Sequence, residues 1–181
     1  MAAFDAIEIE IRQIRPGDKL TGLSLGDARF APLKTFLQKH AKTYEDQSLS
    51  RTYAAFNVAE DNRIAGYVTI VCGEVVLADG DGPLIADEGL RYLYNQYPAV
   101  KIARLAVDRR VQGRGIGEAL VNLSLGIAKE YVAPNVGCRF VMVDSKQDAV
   151  KFYDRQGFTM LDTQANRDRE EPVMFVDLSK L

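Results

Sequence analysis

VDRRVQGRGIGEALVNLSLGIAKEYV, residues 107–132, packs three glycines (Gly113, Gly115 and Gly117) into five positions and sets three arginines (Arg109, Arg110 and Arg114) around them. An apolar run, VKIARLAV at 100–107, leads into it. An apolar pattern at helical spacing leads out: Ile116, Leu120, Leu123, Ile127 and Tyr131. The run predicts a strand buried on both faces. The pattern predicts a helix from about Gly115 to Tyr131 that Pro134-Asn135 ends. A strand that feeds a glycine-rich turn and a helix start makes an anion site. The first N–H groups of a helix have no partner inside it, and its dipole favours negative charge there. Glycines let a phosphate come close to the backbone. The stretch therefore reads as a phosphate or pyrophosphate cradle, against the plainer alternative of a helix start that is merely rich in glycine. Gly-x-x-x-x-Gly-Lys-Ser/Thr is absent, and Gly113-x-Gly115-x-Gly117 lacks the third spacing of Gly-x-Gly-x-x-Gly.

Outward from that stretch, residues 7–14 (IEIEIRQI) alternate apolar and polar at the period of a half-buried strand. From Asp27 to Tyr44, the residues Phe30, Leu33, Phe36, Leu37, His40, Ala41 and Tyr44 recur at spacings of three and four, which predicts one amphipathic helix with His40 packed on its apolar stripe. RTYAAFNV (51–58) and RIAGYVTIVC (63–72) predict a hairpin across the polar turn AEDN (59–62). Strand and Gly/Asp-rich loop continue over 74–84, and a short helix is expected from Asp87 to Tyr97, before Pro98. After the glycine-rich helix come a strand at 139–143, a short helix from Asp148 to Gln156 closed by Gly157, and closing strands at 158–161 and 173–178. The fold class is α/β, or mixed α+β, with three layers and a mixed sheet.

With 181 residues, 47% hydrophobic and 27% charged, one domain with a substantial core over 1–181 is expected. A net charge of −2 argues against bulk binding of nucleic acid or anionic membrane. The charge is uneven, however: residues 1–100 carry ten Lys/Arg against fourteen Asp/Glu, and residues 101–155 carry ten against six, so the basic segment is the one holding the glycines. Cys72 and Cys138 form no CxxC and have no clustered histidines, which predicts free thiols, with Cys138 in the core, and no metal site. No basic stretch followed by an apolar run opens the chain, and nothing approaches the roughly 20 apolar residues of a membrane span. A cytoplasmic protein without a membrane partner is expected.

At this point two motifs carry a resemblance. Gln112-x-x-Gly115-x-Gly117 resembles the Q/R-x-x-G-x-G/A motif of the GNAT N-acetyltransferase superfamily. VDSKQDAVKFYDRQGF, residues 143–158, resembles that superfamily's second signature: a strand, a short helix with a tyrosine, and Gly-Phe. Both occur in the right order. The resemblance implies the GNAT three-layer fold, with a central mixed, mostly antiparallel sheet flanked by helices. It implies acetyl-CoA as cosubstrate, its pyrophosphate held by the backbone N–H groups of Gln112, Gly113, Arg114, Gly115, Ile116 and Gly117. It also implies pairing of the pantetheine amides with Leu105, Ala106 and Val107 through a splay in the sheet. Arg109, Arg110 and Arg114 then stand by to serve the phosphates, with a solvated basic face as the alternative. Dimers are common in the superfamily, so a homodimer is a further expectation.

Acetyl transfer to an amine requires a neutral amine, a polarised thioester and a protonated leaving thiolate. Tyr153 stands where the resemblance implies a general acid, and a phenol of ordinary pKa near 10 suits a thiolate; a core aromatic beside Phe152 and Phe158 is the alternative. Glu74, after a strand end, is the candidate base, with a surface carboxylate or a water chain as alternatives. Lys146 stands three residues before Ala149, where the superfamily often has asparagine, so that asparagine's role does not carry over.

For the acceptor, FAPLKTFLQKHA, SRTYAAF and YPAVKIARLAVDRRVQGRGIG resemble the GNAT toxins, which acetylate aminoacyl-tRNA and are neutralised by a small DNA-binding antitoxin. Against tRNA stands the acidic segment 74–91, with Glu74, Asp79, Asp81, Asp87 and Glu88 against Arg91 alone. Such a rim repels RNA and attracts a cationic amine. The expected acceptor is therefore a primary amine of a small molecule or peptide. The alternatives are a toxin acting on aminoacyl-tRNA with an antitoxin partner, and a non-catalytic acyl-CoA sensor.

Overall fold

A computed structural model describes residues 7–78, 84 and 92–181. Its strands are β1 (Ile9–Gln13), β2 (Arg51–Asn57), β3 (Arg63–Val76), β4 (Gln96–Val107), β5 (Phe140–Asp144), β6 (Thr159–Met160) and β7 (Val173–Asp177). Its helices are α1 (Ala31–Lys39), α2 (Ala41–Asp46), α3 (Ile116–Ile127), α4 (Ala133–Val136), α5 (Val150–Arg155) and α6 (Gln164–Arg167). The strands form one seven-stranded sheet in the order β1-β2-β3-β4-β5-β7-β6. β4 and β5 pair parallel, while β1–β2, β2–β3, β5–β7 and β6–β7 pair antiparallel. The mixed, mostly antiparallel sheet flanked by helices is the expected one. The chain divides into two compact units, residues up to Val71 with Ala103–Ser124, and Cys72–Ile102 with Leu125–Leu181.

In the first unit, Leu23, Phe36, Leu37, Phe56, Tyr67 and Ala106 belong to one buried cluster. The expected single helix over 27–44 is instead a 3₁₀ turn and two α-helices that break at His40 (φ −122°, ψ −28°). The break has a packing reason. In a straight helix, residues eight apart lie about 12 Å apart along the axis, whereas the bend brings the Tyr44 ring edge-on to Phe36 at 5.4 Å. It also turns His40 outward, so the only histidine is exposed rather than packed on the apolar stripe. Gly66 on β3 is required by close approach: a Cβ there would meet the Ala106 carbonyl oxygen at 2.9 Å and Ile116 at 3.3 Å. Its missing side chain lets the start of α3 and the end of β4 seat against β3.

In the second unit, Tyr97, Phe140 and Phe175 stack edge-to-face through the core, with centroids 5.8 and 5.4 Å apart. Residues 87–91 of the short helix expected over 87–97 lie outside the described residues. Residues 92–95 are not helical, and β4 begins at Gln96. Tyr97 precedes Pro98, whose ring disfavours helical backbone at the residue before it. The helix predicted to end at Pro134-Asn135 continues: α3 widens into a π-helical turn over Ala128–Val132 and resumes as α4, which ends before Gly137 (φ +79°). A wider turn relieves the clash of a proline ring with the preceding turn. The Asn135 side-chain amide donates to the Tyr131 carbonyl at 2.7 Å. No helix among the described residues is long and apolar enough to cross a membrane.

Candidate active site

The glycine loop is fixed at its base by Asp108, a fully buried residue. Its carboxylate accepts hydrogen bonds from the Ser24 N–H (2.9 Å), the Arg110 N–H (2.9 Å) and the Arg110 guanidinium (2.8 and 2.6 Å). Burial pushes the Asp108 carboxyl up, but the hydrogen bonds from Arg110 and Ser24 outweigh it and hold the pKa at about 2. The carboxylate thus stays ionised and keeps its donors. Arg110 also donates to the Gly22 carbonyl at 2.8 Å, and the Arg109 N–H donates to the Ser24 carbonyl at 2.8 Å. The segment 22–24 is in this way tied to the turn that leaves β4.

Beyond this anchor the backbone opens. The Val111 N–H donates to Asp108 at 3.0 Å, and the Ala119 N–H donates to Gly115 at 2.9 Å. Between them, residues 112–115 form a turn and bend outside any helix or strand, ahead of the open first turn of α3. Gly113 and Gly115 take φ of +77° and +80°, where a side chain is strained, and a Cβ on either would meet nothing within 4 Å. A glycine turn with backbone of this kind at a helix start is the type of place where an anion can bind. Gln112, Gly113, Arg114 and Gly115 are exposed along the turn, and Ile116 begins α3 with Gly117 next. The Gln112 side chain donates to the Val107 carbonyl at 3.2 Å and ties the loop to the strand end.

The arginines separate into different duties. Arg110 is committed to Asp108 and Gly22 and so braces the loop, which corrects its expected role at the phosphates. Arg109 packs its stem close to Gly26, where an added Cβ would meet Arg109 Cδ at 3.0 Å. Arg114 is exposed.

On β4, Ala106 is buried but Leu105 and Val107 are only half-buried, so the strand is not covered on both faces along its whole length as expected. The parallel ladder with β5 pairs Ala99–Lys101 with Phe140–Met142 and extends no further. Leu105–Val107 lie beyond its end.

The second unit holds the catalytic candidates. Tyr153 lies on α5 and is 6% exposed, between Phe152 and Phe158 with ring centroids at 5.1 and 5.3 Å. Burial pushes its phenol well above the ordinary value. It is therefore held protonated near neutral pH and is a weaker acid than the ordinary phenol expected to suit a thiolate. Glu74 is exposed on β3, and no hydrogen bond joins it to Tyr153 among the described residues. Cys138 is half-buried ahead of β5, not in the core. Lys146 pairs with Glu171 at 2.9 Å. Of the acidic segment's carboxylates, only Glu74 is described; Asp79, Asp81, Asp87 and Glu88 lie outside the described residues. The part played by Asp108 was not read from the sequence, because its partner Ser24 lies 84 residues away.

Residues 24–158 match the model of the Acetyltransferase (GNAT) family. A tRNA-acetylating toxin of Mycobacterium tuberculosis is 30% identical over 142 residues, 78% of this chain and 78% of that protein. Among solved structures, a mutant of KacT with phenylalanine in place of a tyrosine superposes with a TM-score of 0.77 at 26% identity, covering 95% of this chain and 96% of that one. AtaT complexed with acetyl-methionyl-tRNAfMet superposes with a TM-score of 0.77 at 20% identity, covering 96% of each chain, and shares the fold.

Proposed function

The chain belongs to the GNAT acetyltransferase family, and from that premise we propose that it moves the acetyl group of acetyl-CoA onto the α-amino group of an aminoacyl-tRNA. The observation that carries this choice of acceptor is the 30% identity, over 78% of both chains, to a tRNA-acetylating toxin. Two features of this chain agree with it. Residues 28–44, around α1 and α2, contain no carboxylate; Arg29 pairs with Asp27 and Lys42 donates to the Pro16 and Asp18 carbonyls, while Lys34 and Lys39 are exposed, so an acidic chain still offers cations to phosphate. Second, neither His40 nor Glu74 is built into a pocket as a base. An α-amine has an ordinary pKa of about 7.7–8.0, so a useful fraction is neutral near neutral pH, whereas a lysine or polyamine near 10.4 needs a base to become nucleophilic.

In the reaction, the N–H groups of residues 112–117 hold the pyrophosphate and Leu105–Val107 receive the pantetheine amides. The neutral amine attacks the thioester carbonyl; a C–N bond forms and the C–S bond breaks. Tyr153 gives its proton to the departing sulfur, the amine gives up one to solvent, and solvent returns one to the phenolate. A protein antitoxin that silences this activity is the partner that goes with the reading.

The acidic segment 74–91 favours the second reading, a cationic amine of a small molecule or peptide. Radiolabelled acetyl-CoA offered in parallel to charged tRNA, uncharged tRNA, polyamines and peptides separates the two. Label in charged tRNA alone is the expected result. Label in polyamine or peptide with none in charged tRNA overturns it.

A further inference from the structure

We propose that Arg104 is a specificity-determining residue that binds the phosphodiester next to the aminoacylated end of the tRNA acceptor; this rests on the function proposed above. Arg104 stands on β4, half-buried, with its guanidinium carbon 3.7 Å above the centre of the Phe36 ring. Among the described residues it makes no ion pair and donates no side-chain hydrogen bond. The neighbours do not offer one. Phe36, Leu37, Tyr67 and Ala106 of the same unit are buried, and the Tyr67 hydroxyl, the nearest polar group of that cluster, is already spent on the Leu33 carbonyl at 2.7 Å. A planar, always-charged fork stacked over an aromatic ring loses little freedom on binding, and its geometry matches the paired oxygens of a phosphate.

Its place along β4 says what it meets. The pyrophosphate cradle lies after the strand and the pantetheine amides pair at Val107 to Leu105, so the arm runs backwards along β4. At about 3.3 Å per residue the next position toward the thioester is Arg104. Side chains alternate across a strand, so Arg104 shares the α1 side of the sheet with Ala106, below the carboxylate-free segment 28–44. A lone cation there repels a polyamine or lysine. It suits an acceptor whose reactive amine is joined through one ester and one ribose to a phosphodiester.

The test uses the intact chain with Arg104→Gln and Arg104→Lys, charged tRNA as acceptor, and acetyl-CoA binding by calorimetry as the check that each variant folds. Arg104→Gln is expected to raise the KM for charged tRNA about ten- to a hundredfold, the loss of a charge-assisted hydrogen-bonded contact. Acetyl-CoA affinity should hold, and the slope of log KM against log salt should fall by about 0.7, one single-strand phosphate contact. Arg104→Lys should restore the salt slope but only part of the KM. A fall in kcat with KM and salt slope unchanged overturns the proposal and moves Arg104 to the reacting carbonyl. Wild-type protein that transfers nothing to charged tRNA would instead defeat the function on which it rests.

Discussion

At the scale of single residues, Asp108 and Tyr153 are shifted by burial in the same direction and end in opposite states. Asp108 is rescued by donors and stays charged; Tyr153 packs between the rings of Phe152 and Phe158 and stays protonated. The Asp108 carboxyl falls from its ordinary 3.8 to about 2 on folding. Its contribution to stability is therefore complete above pH 4 and is lost as pH drops through 2. Asp108→Asn is expected to lower unfolding free energy by about 2 kcal/mol or more and to weaken acetyl-CoA binding, both measurable by urea titration and calorimetry at pH 7; an unchanged acetyl-CoA affinity would show that the loop does not depend on this anchor. Tyr153→Phe is expected to keep acetyl-CoA affinity and reduce kcat, the mark of help given in the transition state alone. An unaltered kcat removes the phenol from the reaction. The helix that carries Tyr153 was legible because a short motif surrounds it. Asp108 stood in plain view after LAV, but its duty depends on Gly22 and Ser24, and no local pattern reports a contact across so many residues.

At the scale of elements, the arrangement that matters is β4, its turn, and the start of α3 lying on β3. Two glycines hold it for different reasons, and substitution separates them. Gly66→Ala forces a Cβ against the Ala106 carbonyl at 2.9 Å, and backbone there has little room to yield; a loss on the order of 3 kcal/mol is expected. Gly115→Glu meets nothing within 4 Å. Its cost to folding is the left-handed backbone alone, about 1–2 kcal/mol, yet it places a side chain and a negative charge in the cradle and is expected to abolish acetyl-CoA binding. Calorimetry with a melting curve decides; a folded Gly115→Glu protein that still binds acetyl-CoA would remove the loop from the site. These elements were legible because strand, glycine turn and helix follow one another in sequence, each with its own period. The helix breaks were not. The bend at His40 answers to Phe36 meeting Tyr44, and the π-helical turn before Pro134 to a ring the helix accommodates rather than obeys, and apolar spacing is silent on both.

At the scale of the whole molecule, the net charge of −2 averages over a chain whose charges are segregated. The acidic segment 74–91 points to a cationic amine, whereas the carboxylate-free segment 28–44 with Arg104, Arg109 and Arg114 is positively charged. The acyl donor was legible because its cradle is made of backbone and local motif. The acceptor was not, because side chains that meet on the α1 side of the sheet, such as Phe36 and Arg104, lie far apart in sequence. If the acceptor is RNA, its KM rises steeply with salt while that of a small neutral amine would not. The most direct test identifies the bond that is made. The chain is incubated with isotopically labelled acetyl-CoA and charged tRNA, the esters are cleaved with mild base, and the released amino acids are weighed by mass spectrometry. N-acetylated amino acid bearing the label is the predicted product; amino acid released unmodified, with the acetyl label on polyamine or peptide added to the same reaction, would contradict the account.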